Sequence, residues 1–164
     1  MKPEYLDTYY NQEWVYENIR TYFVPKDFFE PIMLKKYGID QLWSFLDFRM
    51  LSNLLYIRIT HNLPITVNTG SLTQRGYRSI LCQIVKDKVK ANTLYASAHL
   101  LGNGVDFGEK GVIAEDTRIW IEANADDLPF KCRLEWRKNG VPITWVHMDT
   151  NYFPSNPKVY KFDV

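Results

Sequence analysis

Three residues of this chain have the side-chain types and the order of a metal site. His99 and Asp106 lie seven positions apart in the stretch Ser97–Phe107, and His147 follows about forty residues later in Trp145-Val146-His147-Met148-Asp149. Two imidazole nitrogens and one carboxylate oxygen are the usual protein ligands of a catalytic zinc ion, whose fourth position is left for water. The alternative is that His99 and Asp106 are ordinary loop residues and His147 lies at an edge of the core, because short motifs also occur by chance.

The residues between His99 and Asp106 predict a turn. A seven-residue spacing would place both side chains on one face of a helix. Gly102-Asn103-Gly104 disfavours that helix, because glycine and asparagine both lower helical propensity. We therefore predict a loop carrying His99, a tight turn at the glycines, and a strand entered at Val105-Asp106-Phe107. Such a turn would fold the Asp106 carboxylate back towards the imidazole.

The composition indicates one globular domain. The 164 residues are enough to bury a core, and 46% hydrophobic with 24% charged residues is ordinary for a soluble protein. A net charge of +1 provides no electrostatic footprint for nucleic acid or for a membrane surface, so neither is expected as a partner. Cys82 and Cys132 are too few for a disulfide scaffold, and we predict that both are free and buried.

Targeting signals are not evident in the sequence. No apolar run approaches the length of a transmembrane helix, and Met1-Lys2-Pro3-Glu4-Tyr5 lacks the apolar core of a signal peptide. We therefore expect a protein that does not export itself by the usual route.

Hydrophobic periodicity and end signals predict the helices. Asp40 is a good N-cap for a long helix that runs to about His61. His61 would then lie at the helix end, where the dipole favours a cation, and we interpret it as structural or exposed, not as a ligand. The other predicted helices cover Glu13–Tyr22, Ser79–Lys90 and Ile113–Ala123.

The strands are predicted from alternation and from turn residues. Asn139-Gly140 is the strongest hairpin signal in the chain, and it should place Glu135 near the segment Thr144–His147. The predicted strands are Leu63–Asn68, Val105–Phe107, Lys131–Arg137 and Ile143–Thr150, and the tail with Pro154 and Pro157 is predicted to be irregular. The fold class is therefore α+β, with a small antiparallel sheet and flanking helices. Residues 1–38 are interpreted as an N-terminal arm or extension of a single globular unit, and residues 39–164 as its main domain.

The order of these motifs resembles the zinc peptidase family of D-Ala-D-Ala carboxypeptidases and L-alanyl-D-glutamate endopeptidases, which share a fold with the hedgehog signalling domain. The resemblance rests on Gly76-Tyr77-Arg78, on the S-x-H-x-x-G-x-x-x-D pattern of Ser97–Asp106, and on Trp145-Val146-His147. It covers roughly residues 40–150. Arg75-Gly76-Tyr77-Arg78 early and the later Trp-Val-His-Met-Asp look most like the phage-associated branch.

The resemblance implies roles for individual residues. It makes His99, Asp106 and His147 the ligands of a zinc ion, and it makes Arg78 the residue that polarises the scissile carbonyl or holds a substrate carboxylate. Ser97 and Tyr77 would contact substrate. A guanidinium suits a developing oxyanion because its charge and donors are fixed in position.

The catalytic acid departs from the family pattern. In the family that the chain resembles, many members carry a glutamate three residues before the last histidine, in the pattern E-x-x-H. Here that position is Thr144, which cannot act as a general base at neutral pH. Glu135, on the partner strand, is the predicted replacement. The alternative for Glu135 is an exposed strand glutamate. Asp149 faces the same side as His147 by strand alternation and could orient its imidazole.

Three functions are compatible with these residues. The first is a zinc peptidase that cuts peptidoglycan stem peptides, as carboxypeptidase or endopeptidase, and acts as a phage endolysin or a virion-associated wall-degrading protein. It would stay in the host cytoplasm until release, or be carried on the virion with other virion proteins as partners. The second is a zinc-bearing structural or binding module of the same fold with impaired catalysis, which Thr144 favours. The third is a structural domain without metal.

Overall fold

The computed structural model describes residues 4–154 and 156–164, and it shows an α+β fold with one five-stranded sheet. Residues 1–3, with which the predicted N-terminal arm begins, lie outside the described residues. The helices are α1 (Gln12–Tyr22), α2 (Pro31–Lys36), α3 (Ile39–Trp43), α4 (Phe48–Thr60), α5 (Gln83–Lys90) and α6 (Ala114–Ala123), with 3₁₀ turns at Glu4–Tyr10, Pro25–Asp27 and Ala125–Asp127. The strands are β1 (Ile65–Thr66), β2 (Gly104–Glu109), β3 (Cys132–Lys138), β4 (Val141–Asp149) and β5 (Val159–Asp163).

The sheet places β4 at its centre. The strand order is β1-β2-β4-β3-β5, and the pairs β1–β2, β2–β4 and β3–β4 are antiparallel. The predicted hairpin between β3 and β4 is confirmed: Asn139 and Gly140 have φ values of 51° and 77°, the left-handed conformation that a two-residue hairpin turn requires. The predicted β2 strand after the glycine turn is also confirmed.

The C-terminal tail was predicted to be irregular, and that prediction is wrong. Residues Val159–Asp163 form β5, which pairs in parallel with β3, so the sheet is mixed and not purely antiparallel. The prolines that suggested an irregular tail, Pro154 and Pro157, lie in the connection before the strand. That connection lets the chain cross over and enter the sheet in the same direction as β3.

The predicted long helix from Asp40 to His61 is two helices, α3 and α4. The N-cap of α4 is Asp47, whose carboxylate accepts hydrogen bonds from the backbone N–H groups of Arg49 and Met50. Asp40 lies instead in the first turn of α3, where its side chain is 88% exposed and pairs with Arg20. The chain turns between the two helices because the backbone N–H of Asp47 donates to the carbonyl of Gly102 at 2.8 Å.

The other predicted elements differ mainly at their ends. Helix α1 and helix α6 each begin within one residue of the predicted start and end where predicted. Helix α5 begins at Gln83 and not at Ser79. The predicted strand Leu63–Asn68 shortens to β1, because only Ile65 and Thr66 pair with β2.

Helix α4 is buried along most of its length and forms the centre of the core. Its apolar side chains pack in one cluster with those of β2, β3 and β4. Its polar side chains are satisfied inside the protein: Ser52 donates to the carbonyl of Tyr9 at 2.6 Å, and Asn53 exchanges two hydrogen bonds with the backbone of Phe130. A helix that is buried on several faces needs such partners for its polar residues.

The segment predicted as an N-terminal arm is part of this core. Val15, Ile19 and Phe28 are fully buried, and they belong to the same apolar cluster as the sheet residues. The backbone carbonyl of Phe28 also accepts a hydrogen bond from the N–H of Tyr77 at 2.8 Å. The described residues of 1–38 are therefore not a separate extension.

Two further findings agree with the sequence. Cys82 and Cys132 are free and buried, and burial raises the pKa of the Cys132 thiol to about 12. None of the helices in the described part of the chain is long and apolar enough to cross a membrane.

Candidate metal centre and adjoining clefts

His99, Asp106 and His147 come together at the centre of the sheet. Asp106 on β2 is directly opposite His147 on β4, and His99 lies in the loop that leads into β2. One oxygen of Asp106 lies 2.6 Å from Nδ1 of His147 and 3.3 Å from Nε2 of His99. All three residues are buried, their ligand atoms lie within 4.8 Å of one another, and the group could hold a metal ion.

The glycine turn brings His99 to this place. Gly102 has a φ of 75°, and a β-carbon there would collide with the carbonyl oxygen of Phe45. Gly104 packs so closely against Ala98 that a β-carbon would lie 2.6 Å from the Ala98 side chain. Both positions therefore require glycine, and together they let the loop fold back over β2.

The second nitrogen of each imidazole is engaged, which leaves one nitrogen of each for a metal. Nδ1 of His99 lies 2.8 Å from the carbonyl oxygen of Gly76. Since a carbonyl only accepts, Nδ1 carries the proton and Nε2 is left as an acceptor or ligand. Nε2 of His147 lies 3.2 Å from Asp149, which leaves Nδ1 directed at Asp106. This nitrogen and oxygen donor set fits zinc, and the outer hydrogen bonds fit the usual support of metal-bound histidines.

Asp149 is held in place by its own partners. Arg133 on β3 donates to both of its oxygens, at 2.8 and 2.9 Å, and the backbone N–H of Asn151 donates at 3.0 Å. Strand alternation predicted that Asp149 faces the same side as His147, and the two side chains are indeed in contact. The imidazole of His147 is therefore fixed between two carboxylates.

The electrostatics of the centre favour positive charge. Burial alone would lower the pKa of His147, but hydrogen bonds to Asp106 and Asp149 raise it to about 9. Burial alone would raise the pKa of Asp106, but the hydrogen bond from His147 and the adjacent His99 hold it well below its usual value. A divalent cation would meet the same field after displacing the His147 proton.

Glu135 lies beside this centre. It is directly opposite His147 in the β3–β4 register, and the register shifts immediately after it, at a bulge before Arg137. Bulges of this kind often redirect a side chain next to a site. Glu135 is half-buried, and burial raises the pKa of its carboxyl group. It therefore has the position and the environment of a proton acceptor close to the metal centre.

Arg78 and Ser97 also reach the centre, whereas Tyr77 does not. Arg78 donates to the carbonyl of Gln74 at 2.7 Å and to the hydroxyl of Tyr95 at 2.6 Å, and it lies 3.5 Å from Asp106. Ser97 accepts a hydrogen bond from the backbone N–H of His99 at 3.3 Å. The ring of Tyr77 packs in the aromatic cluster with Phe29 and Phe45 and lines neither cleft, so its role as a substrate contact stays a prediction.

Two clefts adjoin the centre. The first, of about 550 Å³, contains the three candidate ligands together with Ser97, Glu135 and Asp149. The second, of about 580 Å³, is lined by Thr144 and by the segment Ser71–Arg75. Arg78, Ile84, Asp106 and Trp145 line both clefts, so the two meet at the edge of the metal centre.

His61 lies outside these clefts. Its Nδ1 pairs with the buried carboxylate of Glu109 at 2.9 Å, and its ring stacks on Trp120 with centroids 4.4 Å apart. This agrees with the structural interpretation of His61.

Several site residues were not found from the sequence. Arg133 could have been found, because it lies two positions before Glu135 on the same face of a predicted strand. Tyr95, which contacts Arg78, and Phe162, whose ring centroid lies 6.2 Å from that of His147, carried no signal. Phe162 belongs to the strand that the prolines concealed.

Comparisons of the chain with protein-family models, with curated proteins and with solved structures found no match.

Proposed function

We propose that this protein is a zinc-dependent peptidase that cleaves peptidoglycan stem peptides, as a carboxypeptidase or an endopeptidase. The observation that carries the proposal is the buried group His99, Asp106 and His147 with Glu135 opposite it in one open cleft. The substrate class is inferred from the resemblance of Ser97–Asp106, Gly76-Tyr77-Arg78 and Trp145-Val146-His147 to the peptidoglycan peptidases. On the same resemblance, we propose that it acts as a phage endolysin or a virion-associated wall-degrading protein.

Zinc would be held by Nε2 of His99, a carboxylate oxygen of Asp106 and Nδ1 of His147. When bound, it would polarise the scissile carbonyl and acidify a water molecule to a pKa near neutrality. Asp149 keeps His147 in the required orientation, because its carboxylate accepts from the opposite ring nitrogen.

Glu135 is the proposed general base and acid. Its half-buried carboxylate takes the proton of the attacking water and then delivers it to the leaving amine. The raised pKa of Glu135 makes it a better proton acceptor than an exposed carboxylate.

Arg78 and Ser97 are proposed to serve the substrate. The guanidinium of Arg78 is fixed by Gln74 and Tyr95, so its charge is positioned for the oxyanion that develops at the carbonyl. The Ser97 hydroxyl lines the same cleft and can hydrogen-bond to the peptide.

Metal analysis tests the ligand set. The purified protein should contain one zinc ion per chain, and His147→Ala should contain none, because two remaining ligands rarely hold zinc. Asp163→Asn, on an exposed strand end, is the control and should keep its zinc. His61→Ala is less suitable, because the partly buried His61 pairs with the buried carboxylate of Glu109. Zinc that remains stoichiometric in His147→Ala, or is missing from the parent protein, contradicts the assignment.

A muropeptide digestion tests the catalytic role. Glu135→Gln keeps the shape of the side chain but removes proton acceptance, so the rate of peptide release should fall about a hundred- to ten-thousandfold while the zinc content stays unchanged. Equal rates in parent and variant would remove Glu135 from the mechanism.

A catalytically impaired zinc-bearing module, for example within a virion, is the second candidate. It is favoured by Thr144, which occupies the position where many of the peptidases that the chain resembles carry the glutamate of E-x-x-H. Thr144 lines the second cleft, as does Asp106. A parent protein that is inert on muropeptides, together with hydrolysis by Thr144→Glu, would support this candidate against the first.

A further inference from the structure

The second cleft contains an arginine that is neither a candidate metal ligand nor part of the proposed catalytic group. Arg75 is half-buried in its wall. Its backbone is firmly bound: the N–H donates to Asn68 at 3.1 Å, and the carbonyl accepts from the N–H of Asp106 at 2.7 Å. Among the residues that the structure describes, its guanidinium forms no ion pair and no hydrogen bond, unlike that of Arg78.

A partly desolvated guanidinium that has no ion-pair or hydrogen-bond partner in the described part of the protein indicates that a bound ligand supplies an anionic group. Removing a charge from water is costly unless a counter-charge or hydrogen bonds compensate for it. Among the described residues, Asp106 is the one carboxylate that lines the second cleft. It acts electrostatically on Arg75 but forms no ion pair with it, and it is in direct contact with His99, His147 and Arg78. With Arg75 and Arg78 both in its wall, the second cleft therefore presents net positive charge.

The neighbouring side chains suit a carboxylate in particular. The hydroxyl groups of Ser71 and Thr73 line the same cleft and can donate to oxygen, while Leu72, Ile84 and Trp145 supply apolar surface for an aliphatic group. A guanidinium binds a carboxylate through two parallel N–H donors, which fixes orientation as well as charge.

We propose that the second cleft is a carboxylate-binding subsite anchored by Arg75, and that it holds a carboxylate of the substrate next to the bond that is cut. The backbone hydrogen bond between Arg75 and Asp106 sets the distance between the subsite and the metal centre. Glu135 lines the first cleft and not the second, so the carboxylate subsite and the proposed general base lie in different clefts that meet at Asp106. The identity of the substrate as a peptide rests on the proposed function, but the anion site itself does not.

The test is an NMR titration of the isotopically labelled, zinc-loaded protein with N-acetyl-D-alanine, and with N-acetyl-D-alaninamide as the uncharged probe. N-acetyl-D-alanine should shift the NMR signals of the backbone N–H groups of residues 71–75 and of the Trp145 indole. N-acetyl-D-alaninamide should bind with an affinity at least about tenfold lower, which corresponds to the loss of about 1.4 kcal/mol for one charged contact. Shifts confined to His99 and His147 would show that the carboxylate binds the metal and not the second cleft, and they would count against the subsite.

Variants assign the effect to Arg75. Arg75→Gln should weaken binding of the acid at least about tenfold and abolish its advantage over the amide, whereas Arg75→Lys should keep part of that advantage because it keeps the charge. Arg137→Gln removes one positive charge from an exposed strand position outside both clefts and should bind both probes like the parent.

An unchanged preference for the acid in Arg75→Gln, or no acid-dependent shift of residues 71–75 in the parent, overturns the proposal. If Arg75→Gln does not fold, the Lys variant and the parent titration still decide it. Hydrolysis of muropeptides is measured separately, so a missing peptidase activity and a missing subsite give different results.

Discussion

Asp106 joins the candidate ligands to the two arginines of the clefts. Its carboxylate contacts His99, His147 and Arg78, and its backbone N–H donates to the carbonyl of Arg75. Two imidazoles and one guanidinium therefore converge on one buried side chain. A small movement of β2 would change the contacts to all of them at once.

At the residue scale, Asp149 provides a test of how His147 is held. Asp149→Asn keeps the shape but removes the charge that orients the imidazole, so zinc affinity should fall about 10–100-fold. Competition with a chelator measures this loss, with Asp163→Asn as the control that should match the parent. A merely structural role for Asp149 predicts instead a lower melting temperature with unchanged zinc affinity.

The residues of the centre were predictable to different degrees. The three candidate ligands were predictable because their side-chain types and the glycine turn are visible in the sequence. Glu135 was placed near His147 because the Asn139-Gly140 hairpin sets the strand register, and the observed register agrees. The packing of Tyr77 was not predictable, since it depends on Phe29 and Phe45, which are distant in sequence.

At the element scale, the break between α3 and α4 shows how tertiary contacts decide where a helix begins. Asp40 and Asp47 are both followed by apolar residues with helical spacing, so either could cap a long helix. The choice depends on the glycine turn, because the carbonyl of Gly102 binds the N–H of Asp47 and the chain at Phe45 packs against Gly102. Strand β5 was missed for a similar reason, as its pairing with β3 leaves no local signal.

The cap of α4 makes the stability of the fold depend on pH. Burial alone would raise the pKa of Asp47, but hydrogen bonds from Arg49 and from the helix N–H groups lower it below its ordinary value of 3.8. The cap therefore stabilises the fold fully above about pH 4 and less as the pH falls below that. Asp47→Ala should lower the free energy of unfolding by about 1 kcal/mol at pH 7, with a smaller difference in acid.

Urea unfolding at several pH values measures this difference. Asp40→Ala is the matched control, because Asp40 is highly exposed and pairs only at the surface, so its loss should change stability by less than about 0.5 kcal/mol. A larger cost for Asp40→Ala than for Asp47→Ala would contradict the assignment of the cap.

At the scale of the whole molecule, the N-terminal segment and the sheet form one core. The segment also holds the loop that carries the site arginines: Phe28 and Asp27 accept backbone hydrogen bonds from Tyr77 and Asn68, and the buried Glu30 accepts from Ser79. The geometry of the clefts therefore depends on residues that lie far from the candidate ligands in sequence.

A truncated chain tests this dependence. Residues 39–164 alone lose the buried hydrophobic side chains that the described N-terminal residues supply, which are the seven side chains of Tyr9, Val15, Ile19, Phe23, Phe28, Phe29 and Met33. Each contributes about 1.5–3 kcal/mol on burial, and the sum is comparable with the whole stability of a domain, about 5–15 kcal/mol. We expect no cooperative thermal unfolding by circular dichroism. A truncated chain that melts cooperatively near the temperature of the parent would show that the segment is a dispensable extension.

The position of β4 between β2 and β3 has a consequence for how the protein opens. Edge strands and chain ends fray with little free energy, whereas central strands exchange their amide hydrogens only when the whole domain unfolds. Asp106 and His147 lie on the paired central strands β2 and β4. Local fluctuations at β1 or β5 therefore leave this pair of candidate ligands intact, and the amide of His147, which lies between two paired strands, should be among the slowest to exchange in deuterated water.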